Sequence, residues 1–386
     1  MRVLHVTPSI QRSYGGPTES LIGYIAAAQC VGVDVSVVGP ECVEEEAATF
    51  AQRVGNARVT LFPSFGRDAF TMSPSLLRWV RREGRSHDVI HVHGLFNAIS
   101  SLSARACIRQ GLPVAIRPFG TLSQYTFLHR RTMLKRAYLA MVERRNVECA
   151  SAIHFTTSTE RVDAERHGIN LGNRSYVIPP PAPAVASSPR TDPLATPPPH
   201  VLFLGRLAPV KNIESLLDAW PFVVTAIPHA RLNIAGSGNE SYVHSLRQQA
   251  TRLGIAGTVS FNGFADSRTK SKLLASSSLF VLPSHHENFG IAVIEALVAS
   301  LPVVISPRVQ LAAFVEENGL GIVSETTPAA LGAGIVRGLS DRKLHENVRA
   351  TAAAAVATNF SPKRVGQLLL QMYEDAQEFR VASAIR

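Results

Sequence analysis

The chain has 386 residues, more than one hydrophobic core ordinarily serves, so two domains are expected. Hydrophobic residues make up 46% and charged residues 18%, which excludes a disordered or fibrous polypeptide. Lysine and arginine outnumber aspartate and glutamate by 39 to 29, and the resulting +10 favours an anionic partner: a nucleic acid, an acidic membrane face or a phosphorylated small molecule.

The opening run "MRVLHVTPS" is broken by Pro8 and is too short for a signal-peptide core. No segment reaches the ~18 uncharged apolar residues that span a bilayer. Cys30, Cys42, Cys107 and Cys149 are scattered with no CxxC pair, the pattern of reduced thiols rather than of a disulfide frame or zinc site. A soluble cytoplasmic chain is expected, attached at most to the inner face of the cytoplasmic membrane.

Along the chain, β-branched runs alternate with helical stretches. "VLHVT" (3–7), "VDVSVVG" (33–39), "DVIHVHG" (88–94), "PVAIRP" (113–118) and "SAIHFT" (151–156) read as strands, with "TESLIGYIAAAQC", "SLLRWVRREG" and "LKRAYLAMVERRNVE" as helices between them. Between the first strand and the first helix lies "GGP": Pro17 suits a first helical position, and Gly15 and Gly16 expose amides at the positive helix end. The segment 127–148 carries Arg130, Arg131, Lys135, Arg136, Arg144 and Arg145 with Phe127, Leu128, Met133, Leu134 and Tyr138 interleaved. At ~100° per residue all these cations except Arg136 fall on one half of a helix. That face is either simply solvated or meets an anionic membrane or a lipid-linked pyrophosphate.

Residues 179–199 hold a proline density that forbids helix or central strand, and read as a linker. Beyond it the alternation restarts with "VLFLG" (201–205), "RLNIAG" (231–236), "TVSFNG" (258–263), "LFVLP" (279–283) and "PVVIS" (302–306). The expected organisation is a Rossmann-like domain over 1–178, the linker over 179–199 and a second Rossmann-like domain over 200–360. A terminal helix follows over 361–386 and crosses back to the first domain. Parallel sheets of this kind hold ligands at the carboxyl ends of their strands, in a cleft between the two domains.

Three loops of the second half end strands and turn polar at once. "GRLAPVK" supplies Arg206 and Lys211, either a solvated pair or a clamp for a diphosphate. "GSG" at 236–238 reads as a tight turn around Gly236 and departs from GxGxxG. "SHHENFGIAVIE" sets Glu287 and Glu295 on either side of a helix start at Gly290. Glu287 could cap that helix. Glu295 lies among Ile291, Ala292, Val293, Ile294, Ala296, Leu297 and Val298, where a carboxylate needs a partner. Ligand hydroxyls, such as the two of a ribose, would serve.

These loops together resemble those of the retaining glycosyltransferases of family four, which have the GT-B arrangement of two Rossmann-like domains. "GRLAPVK" is similar to the family's GRL-x-x-x-K element, "IAGSG" to its small-residue turn, and "ENFGIAVIE" to its E-x7-E signature. "IRPFGTLSQ" and the basic helix resemble exopolysaccharide- and lipopolysaccharide-type members. The resemblance implies a hexosyl transfer from a nucleotide-sugar donor to a glycan or polyprenyl-pyrophosphate-linked acceptor, with retained anomeric configuration, in surface-polysaccharide synthesis. On that implication Glu295 holds the donor ribose, and Glu287 the hydroxyls of the transferred sugar with help from the amides of Asn288, Phe289 and Gly290. Arg206 and Lys211 would neutralise the leaving diphosphate, and Gly15 and Gly16 would approach it. No cofactor or metal is expected, since the chain contains no D-x-D metal handle.

Two positions depart from the family pattern. Phe119 stands where many members carry a His, so the sugar contact falls vacant or moves to His93, itself equally a core residue; and no Asn-Gly follows "YVIPP". The alternative reading is a sugar-nucleotide epimerase or hydrolase on the same fold; a phosphorylase lacks its marked pyridoxal lysine here. A nucleic-acid partner rests on net charge alone, without a stacking motif or zinc finger, and is not expected.

Overall fold

The computed structural model describes residues 1–66, 68–125, 132–183 and 198–385. It divides into two compact units, Met1–Pro181 with Phe360–Arg386, and Ala182–Asn359. The greater part of the proline-rich stretch, and Arg130 and Arg131 of the basic segment, lie outside the described residues.

The first unit is built on strands β1 (Arg2–Val6), β2 (Asp34–Pro40), β3 (Arg58–Phe62), β4 (Val89–His93), β5 (Val114–Arg117), β6 (Ala152–Phe155) and β7 (Ser175–Val177). They form one sheet in the order β3-β2-β1-β4-β5-β6-β7, all pairings parallel. Parallel strands covered by helices on both faces bury both sides, which is why β1, β4, β5 and β6 read as near-continuous apolar runs. One core packs Leu4, Ile90, Ile116 and Phe155 beneath one layer of helices, and a second packs Val3, Val37, Val89 and Ala152 beneath the other. The second core includes Leu369, Met372 and Tyr373 of the terminal helix Pro362–Ile385, so this helix belongs to the first unit. It lies so close to helix Gly16–Cys30 that a Cβ on Gly366 would fall 2.2 Å from the Ala27 carbonyl oxygen.

The second unit repeats the plan with β8 (His200–Leu204), β9 (Arg231–Ala235), β10 (Val259–Gly263), β11 (Leu279–Leu282), β12 (Val303–Ile305) and β13 (Gly321–Val323). Their order is β10-β9-β8-β11-β12-β13, again all parallel. Both units are doubly wound, with the strand order reversing between β1 and β4 and between β8 and β11. Such switch points open a crevice at the strands' carboxyl ends.

Three strands absent from the expected set, β3, β7 and β13, are all sheet edges. An edge strand is covered on fewer sides, so β7 needs only three half-buried residues, and the apolar run that marks central strands is missing.

The basic segment is not one regular helix. Thr132–Tyr138 and Arg144–Cys149 are α-helical, and Leu139–Glu143 between them is a π-helical turn. The wide turn accompanies a buried Glu143, whose carboxylate accepts from Phe96 N at 2.7 Å, Ser101 Oγ at 2.6 Å and Asn146 Nδ2 at 3.3 Å. A uniform 100° phase therefore fails across the segment.

Candidate functional site

In the second unit the site is built at the β8/β11 switch point. After β8 the chain runs through Gly205 and the exposed Arg206 to a short 3-10 turn, Pro209–Lys211. Asn212 follows at φ 55° and donates from Nδ2 to Pro283 O at 3.1 Å, tying this loop to the one after β11. His285 N donates to Val210 O at 2.9 Å from the other side. So joined, the two loops bring the Lys211 ammonium onto the Glu287 carboxylate in an ion pair, the side chains 17% and 18% exposed.

Glu287 is fixed along its backbone as well. Its N–H donates to Arg308 O at 3.2 Å, and its carbonyl accepts from Gln310 N at 3.3 Å. Gly290 then turns the chain at φ 95° to begin helix Ile291–Val298. A side chain there would be strained in the backbone and would press on Val309 Cγ1 at 3.3 Å and Glu287 Cγ at 3.4 Å. Asn288 is half-buried and Phe289 buried at this helix start, where the first amides have no intrahelical acceptor.

Glu295 sits one turn in, 8% exposed, and it has the partner its setting demanded. Lys270 Nζ, from helix Ser267–Ser276, lies 2.5 Å from Glu295 Oε1. The partner therefore comes from the protein, and nothing in the local sequence names it. Lys270 precedes Glu295 by 25 residues, and only the packing of two helices joins them. The sole trace in sequence was the general one, a carboxylate among apolar neighbours.

Gly236 and Gly238 serve the protein's own backbone. A Cβ on Gly236 would lie 1.8 Å from Gly205 O, and one on Gly238 2.1 Å from Leu207 O. The "GSG" turn thus packs the loop after β9 onto the loop after β8, and Leu207 N donates to Ser237 O at 2.8 Å across the join. Gly236, Gly238 and Gly263 also line a hollow of about 410 Å³ with Glu240, His244 and Arg247.

In the first unit, Gly15 (φ 75°) and Gly16 open helix Gly16–Cys30, with open space where a side chain would be. His93 ends β4 fully buried, its Nε2 2.8 Å from His5 Nδ1 and its ring stacked on Phe119 at 5.7 Å. His91 lies beside them, and burial holds the imidazoles of His91, His93 and His154 well below the ordinary histidine range; that of His5 falls to about 3.

The ring nitrogens of His5, His91 and His93 come within 4.8 Å of one another, close enough for a metal ion. The hydrogen bonds argue otherwise. Ile178 O can only accept, so His154 carries its proton on Nε2, 2.9 Å away. His91 Nε2 must then donate to His154 Nδ1 at 3.3 Å, and Tyr373 Oη donates to His91 Nδ1 at 2.9 Å. Both nitrogens of His91 are occupied, and the neighbouring Arg117 cation opposes a second positive charge.

Of the described cations in the basic segment, Arg145 is exposed and Lys135 half-buried beside the exposed Met133, Leu134 and Met141. Arg144 is turned away to structural work. It donates to Gly168 O at 2.5 Å and His167 O at 2.9 Å, so it is lost to any membrane-facing set. No described helix is long and apolar enough to cross a membrane.

Two family models match the chain: Glycosyl transferase 4-like domain over residues 15–181 and Glycosyl transferases group 1 over residues 188–355. An uncharacterized glycosyltransferase of Methanocaldococcus jannaschii is 34% identical over 46% of this chain and 45% of its own length. The phosphatidyl-myo-inositol mannosyltransferase of Mycobacterium tuberculosis is 33% identical over 45% of this chain and 46% of its own. These matches thus span about half the length of each relative, whereas the Propionibacterium freudenreichii enzyme of that name aligns over 100% of this chain and 98% of its own at 26% identity. Among solved structures, Anabaena HepE in complex with UDP and glucose superposes with a TM-score of 0.73 at 20% identity, covering 96% of this chain and 98% of that one. Sucrose-phosphate synthase from Thermosynechococcus elongatus gives 0.74 at 17% identity, covering 97% and 98%.

Proposed function

Since the chain belongs to the glycosyltransferases of the GT-B fold, with a glycosyl transferase 4-like and a group 1 domain, we propose that it moves a hexosyl group from a nucleotide sugar to a glycan or polyprenyl-pyrophosphate-linked acceptor, with retention. The observation that carries this reading is the Lys211–Glu287 pair, formed between the loops after β8 and β11 where a doubly wound sheet holds its ligand.

The pair is two halves of one donor site. A diphosphate competes for the Lys211 ammonium, and Arg206, exposed on the same loop, adds a planar set of donors. Lys211 released to the diphosphate leaves Glu287 free to accept from hydroxyls of the transferred sugar, with the amides of Asn288, Phe289 and Gly290 beside it. Glu295, paired with Lys270, accepts from the donor ribose. As the sugar–phosphate bond breaks, negative charge grows on the leaving diphosphate, and fixed cations stabilise that charge without a metal. The acceptor attacks on the face the diphosphate leaves, so no protein nucleophile is invoked. In the first unit, Gly16 offers its amide to an anion at a helix N-terminus, whereas the Gly15 N–H expected beside it donates to Arg12 O at 2.9 Å. The exposed Met133, Leu134 and Met141 with Lys135 and Arg145 suit the acidic inner face of a cytoplasmic membrane, where a lipid-linked acceptor of surface-polysaccharide synthesis would reside.

The test is a thermal-shift screen of nucleotide sugars, followed by product analysis with and without acceptor in EDTA. A stabilising donor whose sugar appears on an acceptor supports the reading. Conversion of the nucleotide sugar in the absence of acceptor would favour the epimerase or hydrolase, and restoration of activity only by a divalent ion would contradict the metal-free step.

A further inference from the structure

Arg117 ends β5 and is 3% exposed, a full positive charge at the foot of the first unit's loops. Its guanidinium lies between two rings, 4.4 Å from the centre of Tyr24 and 4.5 Å from that of Phe119. Nη2 donates to Ser20 Oγ at 3.1 Å, but Nε and Nη1 are buried with no hydrogen-bond partner. No carboxylate forms an ion pair with it among the described residues. Glu160, the acid whose charge acts on it, accepts instead from Gly120 N and Thr156 N. A buried guanidinium without a counter-ion is strongly unfavourable, and orphaned donors add to the cost.

The unmet donors are clustered. His5 Nε2 and His93 Nδ1 are also buried without partners, on the outer sides of the His5–His93 hydrogen bond. Two neutral imidazoles hold two ring protons; one lies in the shared bond, so one of the outer nitrogens carries the other. Ser20 and Tyr24 place Arg117 beneath the second and third turns of helix Gly16–Cys30. Guanidinium and imidazole N–H thus present positive charge and free donors together.

Phe119 lies over this cluster. Arg117, Pro118, Gly120, His5 and His93 are buried, whereas Phe119 is half-exposed. Its ring covers both the guanidinium and His93, and its backbone has φ 62°, a region costly for a bulky side chain. Glu160 fixes that conformation through Gly120 N, and the ring closes over Gly94.

We propose that Arg117, with His5 and His93, forms an oxyanion-binding subsite of the first unit, covered by Phe119 and taking a phosphate or carboxylate group. Arg recognises either through its planar donors. The subsite does not depend on the transferase reading, and its test measures binding alone.

The experiment is calorimetric titration of the full chain at constant ionic strength with inorganic phosphate, acetate and glycerol 1-phosphate in separate arms. Arg117→Met and Arg206→Met are titrated in parallel, because Arg206 is a second place for phosphate to bind. Arg117→Met is expected to lose at least about tenfold in affinity for one component that Arg206→Met keeps. Binding of free phosphate or acetate identifies a small-anion site, and binding of the ester alone places the group on a larger molecule. Phe119→Ala, which removes the cover and keeps the cation, is expected to speed association with the same probe, and it decides the matter if Arg117→Met fails to fold. Identical isotherms in wild type and a folded Arg117→Met, or association unchanged in Phe119→Ala, would overturn the proposal and leave ordered water as the partner of Arg117.

Discussion

The two units share a doubly wound parallel sheet and treat charge at its carboxyl edge in opposite ways. In the second unit Lys211 meets Glu287 and Lys270 meets Glu295, and the first of these pairs reaches solvent from both sides. In the first unit Arg117 and the histidines of β1, β4 and β6 are buried, and none of the four imidazoles has a carboxylate within hydrogen-bond reach among the described residues. The same topology therefore supports a site with its charges already matched, ready to exchange one partner for a ligand. It supports equally a polar core whose imidazoles are held neutral by burial around one guanidinium unpaired among the described residues. Paired, solvent-reaching charges should be cheap to alter for folding and expensive for catalysis; the buried cluster should be the reverse.

Acid gives the largest expected difference between the units. His5, His91, His93 and His154 are neutral when folded because burial disfavours their charged forms. In the unfolded chain they take protons near pH ~6.5. The unfolded state then binds more protons below that pH, and stability falls as pH drops from there towards the folded value of about 3 for His5. Each histidine costs up to about 1.4 kcal/mol per pH unit in that window, so a few units exhaust an ordinary stability of ~5–15 kcal/mol. The sequence has two tryptophans, Trp79 in the first unit and Trp220 in the second, and the emission maximum of single-tryptophan variants reads each separately. Trp79 should shift to the red at a higher pH than Trp220; coincident transitions would erase the contrast.

Next in size is Lys211→Ala. Loss of a cation that meets developing charge should lower kcat/KM by roughly 10²–10³-fold while the melting temperature hardly moves. An unchanged rate in the folded variant would remove Lys211 from the reaction.

Glu295→Gln is expected to act on both properties, because Glu295 has two duties in this account. Nucleoside diphosphate binding should weaken by ~1.5–3 kcal/mol for the lost charged acceptor. Stability should fall by less than about 1 kcal/mol, since Lys270 is 27% exposed and can turn to water. Calorimetry beside a melting curve separates the two, and a destabilised variant with wild-type affinity would make the pair purely structural.

Legibility in the sequence followed the same division. Central strands announced themselves as apolar runs, and the loops after β8 and β11 as small and charged residues at strand ends. The edge strands β3, β7 and β13 did not, because half-covered residues carry little pattern, whereas the edge strand β10 was readable as "TVSFNG". The oddity of Glu295 is readable from its neighbours, and by the same reasoning so is that of Arg117 at the end of the apolar run "PVAIRP". Partners were not readable. Lys270 reaches Glu295 through helix packing, and the π turn that brings Glu143 under Phe96 depends on contacts 42 and 47 residues away.

The exchange at Lys211–Glu287 is tested most directly by titrating UDP and UDP-glucose, the ligands of the Anabaena neighbour, into wild type and Glu287→Gln. Removing the carboxylate frees Lys211 for the diphosphate and removes the acceptor for sugar hydroxyls. UDP should therefore bind Glu287→Gln as well as wild type or better, while UDP-glucose loses affinity relative to UDP by about tenfold, the ~1.4 kcal/mol of one good hydrogen bond. The same factor of change for both ligands, or no change for either, would contradict the account.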